Sequence, residues 1–514
     1  MRIKKPNILL IMADQLAAPA LPIYGHKQVI APNIDKLAKN SVIFDNCYCN
    51  FPMCGPSRAS LHSSIYPHKM NCFDNASEFQ ANVPTLPHYL RSIGYKTLLS
   101  GKMHFVGPDQ LHGYEKRLTT EIYPANFAWT VDWSKGREFR PTNLTMAPVI
   151  ESGPCERTLQ IDYDDEVAYH SIQGIYDLAR SSDDKPFFLT VSFTHPHSPF
   201  VISQKYWDLY NHDNIIMPTV DDIPPDQRDI LSENLYYCQA RHKFSVTYEH
   251  VRNARHAYYG MISYIDNKIG QILNTLEKTN LKDNTIIIFC ADHGEMMGER
   301  GMWYKQHFWE WASKIPFVFY FPSRFKPKRI KENVSLVDLM PTILEIVDDE
   351  DKINFVSKID GRSFLNLLKG DSRNWNNYAI SEFSADGSTG PSRMIKKEDC
   401  KYMYLEGVDE LLYDLANDPN ETNNLMNDKR YEKEISEMKE IIFNDWNIDE
   451  VKNRAIENQK NRLFIHKVTK GDPTYVNLVK FDDDKRYIRN AGAADTKAKA
   501  RFPYVEPAKP DKKL

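Results

Sequence analysis

Three stretches of this chain, Asn7–Ala13, Pro186–Phe193 and Thr285–Cys290, run almost without interruption through apolar or β-branched residues. A half-buried strand would alternate apolar with polar, so these must be covered on both faces, as in a parallel sheet packed between helices. Helical periodicity lies between them. Pro32 opens a segment with Ile34, Leu37 and Ala38 on one face, and Thr85–Ile93 places Leu86, Tyr89, Leu90 and Ile93 together before Gly94. Further helix is expected over Glu166–Arg180, in much of residues 227–280 and over Ser335–Val347, with strands at Val42–Phe44, Lys96–Ser100 and Pro316–Phe321. The expected fold class is α/β, with a large, mostly parallel central sheet.

Each buried strand is followed by charge. Asp14 comes directly after the first, Lys102-Met103-His104 after Lys96–Ser100, Thr194-His195-Pro196-His197 after the Pro186 run, and Asp292-His293-Gly294 after the Thr285 run. Parallel sheets bind ligands at the carboxyl ends of their strands, so these clusters should converge on one rim. Cys54-Gly55-Pro56-Ser57-Arg58 follows another strand, and Pro56 is read as fixing a turn that brings the Arg58 cation toward Cys54. Asp14, Asp292 and His293 offer two hard oxygen donors and one nitrogen, which suits a divalent cation such as Ca²⁺ or Mn²⁺ better than a closed zinc site. Lys102 supplies fixed charge, and His104 a group that titrates near neutrality. His197 is held between prolines, His195 is the weaker candidate of the pair, and Lys305 follows the Asp292 loop as a further cation. So much positive charge around one Cys exceeds what a thiol protease needs. It fits ester hydrolysis at a tetrahedral oxyanion group, sulfate or phosphate.

At 514 residues the chain is long enough for a large domain and a smaller companion. We expect a catalytic domain over 1–371, a smaller α+β domain over 372–466, and an extended C-terminal arm over 467–514. Acidic and basic residues, 69 and 65 of them, are interspersed, so no single-sign field draws the chain to nucleic acid or an anionic membrane. The apolar run after the basic N-terminus is too short for an export signal, and no stretch approaches the ~20 residues of a membrane helix. With eight scattered cysteines, this predicts reduced thiols and a cytoplasmic location.

Cys54-Gly55-Pro56-Ser57-Arg58 resembles the signature of the type I, formylglycine-dependent sulfatases, and Asn7–Asp14, Gly101–His104 and Ala291–Gly294 are similar to that family's other site segments. The resemblance covers nearly the whole chain. It implies an alkaline-phosphatase-like sandwich, oxidation of Cys54 to formylglycine by a maturation enzyme, and attack on sulfur by an oxygen of the hydrated aldehyde. It implies Asp14, residue 54, Asp292 and His293 as ligands of one divalent cation, with Arg58 and Lys102 holding nucleophile and oxyanion. His104 would assist release of sulfate, and His197 and Lys305 would contact sulfate and protonate the leaving oxygen. Phe73–Phe79, Gly101–Gly113, Thr119–Pro124 and Ala500–Pro503 look like the choline sulfatases in particular. For a quaternary ammonium, Trp129, Asp386 and Asn75 would line the site. The resemblance also implies a homo-oligomer, dimer or tetramer, in which the arm crosses to a neighbour and Asp495 is its acidic contact. Pro141–Met146 and Ala491–Ala500 depart from the family pattern, and Asp386 stands where Glu is expected. Two alternatives stay open: a phosphonate monoester or phosphodiester hydrolase of the same fold, or a sulfatase for a different small ester. A binding module with Cys54 left as a thiol is the non-enzymatic reading.

Overall fold

The computed structural model describes residues 5–348, 353–470, 487 and 501–511. Its centre is a nine-stranded sheet in which Thr285–Ala291, Asn7–Ala13, Phe187–Phe193 and Lys96–Gly101 lie side by side and parallel. Every residue of the first three is buried, which is why their sequences do not alternate. Beyond Thr285–Ala291 comes Phe317–Tyr320, antiparallel to it, and then Val42–Tyr48, antiparallel again. Two reversals restore direction, so Val42–Tyr48 also points its C-terminal end at the rim. It is four residues longer than the sequence suggests.

Helix Leu159–Arg180 packs against Phe187–Phe193 and Lys96–Gly101 of the sheet, and helix Tyr248–Lys278 packs against that helix in turn. The first begins seven residues before the expected Glu166, because the Thr158 hydroxyl caps it by accepting from Ile161 N at 3.1 Å. The acidic run that hid this start has a partner inside: Asp164 is buried and binds the backbone N–H groups of Thr194 and His195. Cys54–Ser63 is also a helix, not the turn read from Pro56. Proline is accommodated in a first helical turn, where its missing N–H costs nothing.

The second sheet is an antiparallel meander of Tyr378–Phe383, Ser392–Lys397, Cys400–Leu405 and Asp409–Asp414, with helix Glu432–Phe443 against it. It is tied to the central sheet by Asn50, whose Nδ2 donates to Ile380 O at 2.9 Å and whose carbonyl accepts from Glu382 N at 2.9 Å. The long helix Ile448–Val468 then returns to the loop around Phe127–Trp129. Arg501–Phe502 pairs with Arg157–Thr158 of the same chain, and Asp511 N donates to Lys243 O. Asp495 lies outside the described residues. Among the described residues, no helix is long and apolar enough to cross a membrane.

Candidate active site

The register of the four parallel strands sets the site. Ala13 is level with Phe193 on one side and Ala291 on the other, so Asp14 and Asp292 leave the sheet side by side. Gly101, level with Ser192, has a φ of +102°, and a Cβ there would lie 1.9 Å from the Ser192 carbonyl oxygen. Only glycine permits this close turn, which aims Lys102 at Asp14. The next residues are held by Glu121, which accepts from Met103 N and His104 N at 2.9 and 2.8 Å. Burial raises the Glu121 pKa, but Arg117 and the backbone donors bring it down to about 2.

Helix Cys54–Ser63 supplies the rest. Cys54 sits at its first turn, with Sγ 3.2 Å from His293 Nε2, 3.3 Å from Lys102 Nζ and 3.8 Å from Asp14 Oδ1. One turn on, Arg58 is fully buried and does not pair with the thiol. It donates from Nε to Asp292 at 2.8 Å, from Nη2 to Asp14 at 3.2 Å, and from Nη1 to Lys102 O and Ser192 Oγ. Lys102 bonds Asp14 as well. Burial pushes the Cys54 thiol up, but Lys102, Lys305 and His293 outweigh it and hold the group well below the ordinary thiol value. Burial and the neighbouring Asp292 raise Asp14, whereas Asp292, despite burial, is lowered by Arg58 and His293.

The donor set fits a divalent cation. One ligand atom each from Asp14, Cys54, Asp292 and His293 lies within 4.8 Å of the others, all four residues being buried. His293 directs Nδ1 at the Gly294 carbonyl at 3.0 Å, which leaves Nε2 aimed into the cluster, as a metal-binding imidazole requires. Burial lowers its pKa, but Asp292 and Cys54 raise it overall.

His197 and Lys305 stand on the open side, Lys305 Nζ 2.8 Å from His197 Nε2. Burial and then Lys305 hold His197 well below its usual pKa, so it is neutral; its Nδ1 proton goes to Ser198 O at 2.7 Å and Nε2 accepts from Lys305. His104 donates from Nε2 to Asn75 O at 2.9 Å, while its buried Nδ1 has no hydrogen-bond partner among the described residues. His195 faces away on the Asp164 carboxylate at 2.6 Å, so it supports the backbone rather than the site.

Beside this cluster lies a cavity of about 70 Å³ lined by Asn75, Tyr123, Trp129, His197, Lys305 and Asp386, together with Thr142–Thr145. The Trp129 ring meets those of Tyr123 and His104 at 5.0 and 6.0 Å. Asp386, far from Asp14 in sequence, carries a pKa raised to about 7 by burial and the nearby Asp74, with Lys305 opposing.

Several contributors have no periodicity to single them out. Tyr123 stacks on His104 at 4.6 Å, receives Lys102 Nζ 4.2 Å above its ring and reaches His197, yet it sits in an aperiodic loop. Gln15 bridges Lys305 to Glu295, and Ser192 meets Arg58. Gln15, His104, Tyr304 and Gln306 all hold positive φ, and such backbone strain collects where function fixes geometry.

A rim of two carboxylates, an imidazole, a low-pKa Cys and three buried cations defines a hydrolase for tetrahedral oxyanion esters. The chain belongs to the sulfatase family, whose model matches residues 6–349, and it is a sulfuric ester hydrolase. A second model, the C-terminal part of N-sulphoglucosamine sulphohydrolase, matches 298–446. The chain is 38% identical to the choline-sulfatase of Rhizobium meliloti over 98% of its own length and 99% of that protein's. It is 28% identical to an arylsulfatase of Clostridium perfringens, covering 85% and 94%. Among solved structures, a phosphonate monoester hydrolase of Agrobacterium radiobacter superposes with a TM-score of 0.68 at 23% identity, over 85% of this chain and 95% of that one. A structure in complex with its substrate D-glucosamine-2-N,6-O-disulfate gives 0.68 at 21%, over 88% and 99%. These two likenesses show the alkaline-phosphatase-like fold shared with sulfatases.

Proposed function

We propose that this chain hydrolyses choline-O-sulfate to choline and sulfate, with residue 54 converted to formylglycine and one divalent cation, Ca²⁺ or Mn²⁺, held by Asp14, residue 54, Asp292 and His293. One observation carries the reading: the small cavity next to residue 54 offers the ring of Trp129 and the carboxylate of Asp386 together, the pairing a quaternary ammonium favours. The 38% identity to a choline-sulfatase supports it.

Formylglycine at residue 54 would supply an oxygen nucleophile and a route to release sulfate. A cation held by Asp14, residue 54, Asp292 and His293 would supply positive charge to the developing oxyanion. The chain's own residues do the rest. Arg58 fixes the two carboxylates, and Lys102 places permanent charge where the oxyanion develops. Lys305, whose Nζ is oriented by neutral His197 at 2.8 Å, gives a proton directly to the leaving oxygen. His104, a hydrogen-bonding neighbour of residue 54, would serve as the proton acceptor there. Asn75 holds the floor of the cavity, its Oδ1 accepting from Gly55 N at 2.9 Å. Formylglycine-generating maturation and assembly into a homo-oligomer belong to the same proposal.

Choline-O-sulfate, 4-nitrophenyl sulfate and a phosphonate monoester, assayed side by side, test it. The choline ester should give the highest kcat/KM; fastest turnover of the phosphonate would overturn the proposal. Trp129→Ala should raise KM for the choline ester by about thirtyfold, equivalent to the ~2 kcal/mol of a desolvated cation–π contact, with a much smaller effect on the aryl ester. Equal losses would rule out an ammonium cage.

The raised pKa of Asp386 gives a pH test with a definite sign. Below pH 7 the acid is neutral, and a bound ammonium favours its ionised form, so affinity for the choline ester should rise with pH and level off above about 7. The ratio of choline-ester to aryl-ester KM isolates this group, since titrations at the sulfate end affect both. A flat ratio across about one pH unit either side of that value would remove Asp386 from the cage.

A further inference from the structure

The helix Ile448–Val468 buries Val451, Ala455, Gln459 and Arg462 along one face, so two polar side chains finish an apolar stripe. Arg462 is 3% exposed and forks onto the fully buried Asp74, with Nη1 to Oδ1 at 2.7 Å and Nη2 to Oδ2 at 2.8 Å. Its Nη1 also donates to Thr130 Oγ1 at 3.2 Å, and its Nε donates to Asn458 Oδ1, one turn earlier on the same helix, at 2.7 Å. Asp74 in turn accepts from Ala76 N at 2.9 Å and Val131 N at 3.4 Å, and Gln459 accepts from Trp133 N at 3.2 Å. Asp74 precedes Asn75, and Thr130 follows Trp129. One guanidinium therefore spans the two irregular loops that carry opposite parts of the cavity wall.

We propose that Arg462 is a positioning residue for leaving-group specificity: from a helix outside the catalytic sheet, it fixes Trp129 relative to Asn75 and so shapes the cage for a cationic leaving group. This rests on the choline reading above. The sulfate-handling groups, Asp14, Arg58, Lys102 and Asp292, bond one another and the central sheet, whereas Arg462 bonds the cavity loops. Specificity and chemistry are thus supported by different elements. A planar fork with two bonds to one carboxylate and a third to Thr130 is geometry that a lysine does not reproduce. The Asp74 charge that Arg462 neutralises also bears on Asp386, alongside Lys305.

The test uses the full-length mature enzyme and its Arg462→Met, Arg462→Lys and Thr130→Val variants, each checked for folding by thermal melting. Arg462→Met should raise KM for choline-O-sulfate at least about tenfold, as loosened positioning does, while kcat for 4-nitrophenyl sulfate is unchanged. The pH at which the choline-ester KM levels off should also move upward, because Asp74 is left unpaired. Arg462→Lys should fall between Met and wild type. Should Arg462→Met fail to fold, Thr130→Val, which removes one bond and strands no charge, should shift the same KM in the same direction by a smaller factor. An unchanged choline-ester KM, or equal losses on both esters, would overturn the inference. Wild-type enzyme without preference for choline-O-sulfate would instead overturn the reading on which it rests.

Discussion

Cys54→Ala should lower kcat by at least ~10³-fold for every sulfate ester, with KM for choline-O-sulfate little changed, because the nucleophile and the ammonium cage are separate parts of the site. The nearby hydroxyls are poorly placed to take over. Ser57 Oγ donates to Asp292 O at 2.6 Å, and Ser192 Oγ is engaged by Arg58 at 2.8 Å. Both are committed to holding the carboxylate pair and its arginine. Loss of one small buried side chain leaves the sheet and its register intact, so the variant should melt within a few degrees of wild type. Sulfate release followed over many turnovers checks the prediction; a tenfold loss only would mean that another group attacks.

Arg58→Ala should be the most damaging change to both stability and turnover. The guanidinium is completely buried and bonds Asp14, Asp292, Lys102 O and Ser192 Oγ, so its removal strands two facing carboxylates. Breaking a buried ion pair by removing one partner costs about 3–5 kcal/mol, and the same displacement spoils the alignment on which turnover depends. Arg58→Lys should recover little, since one ammonium cannot occupy four bonding directions at once. Urea unfolding and kcat on the same preparations decide this. Full activity in Arg58→Lys would show that charge alone, not the fork, matters.

Much of this site was legible because a buried parallel sheet imposes a simple code. Strands that must exclude water cannot alternate, and the first charged residue after each one falls on the rim, so Asp14, Lys102 and Asp292 announce themselves. Cys54 and Arg58 were legible as a cluster, but not their geometry: an i,i+4 pair on a helix sends Arg58 to the carboxylates rather than to the thiol. His195 shared its neighbour's pattern and turned out to support the backbone through Asp164. The cavity wall was harder. Tyr123 and the Asp74–Arg462 pair act through contacts between loops and a distant helix, and neither loop has a period to read. The early start of Leu159–Arg180 was masked because Asp164 is buried in that helix, against the usual rule for carboxylates.

The central claim is that the attacking atom is an oxygen absent from the translated chain. Mass spectrometry of the peptide containing residue 54, taken from a preparation of known specific activity, tests it most directly. The account predicts an aldehyde in place of the thiol, in a fraction that rises in step with activity across preparations. Full activity in protein whose Cys54 is entirely an unmodified thiol would contradict it.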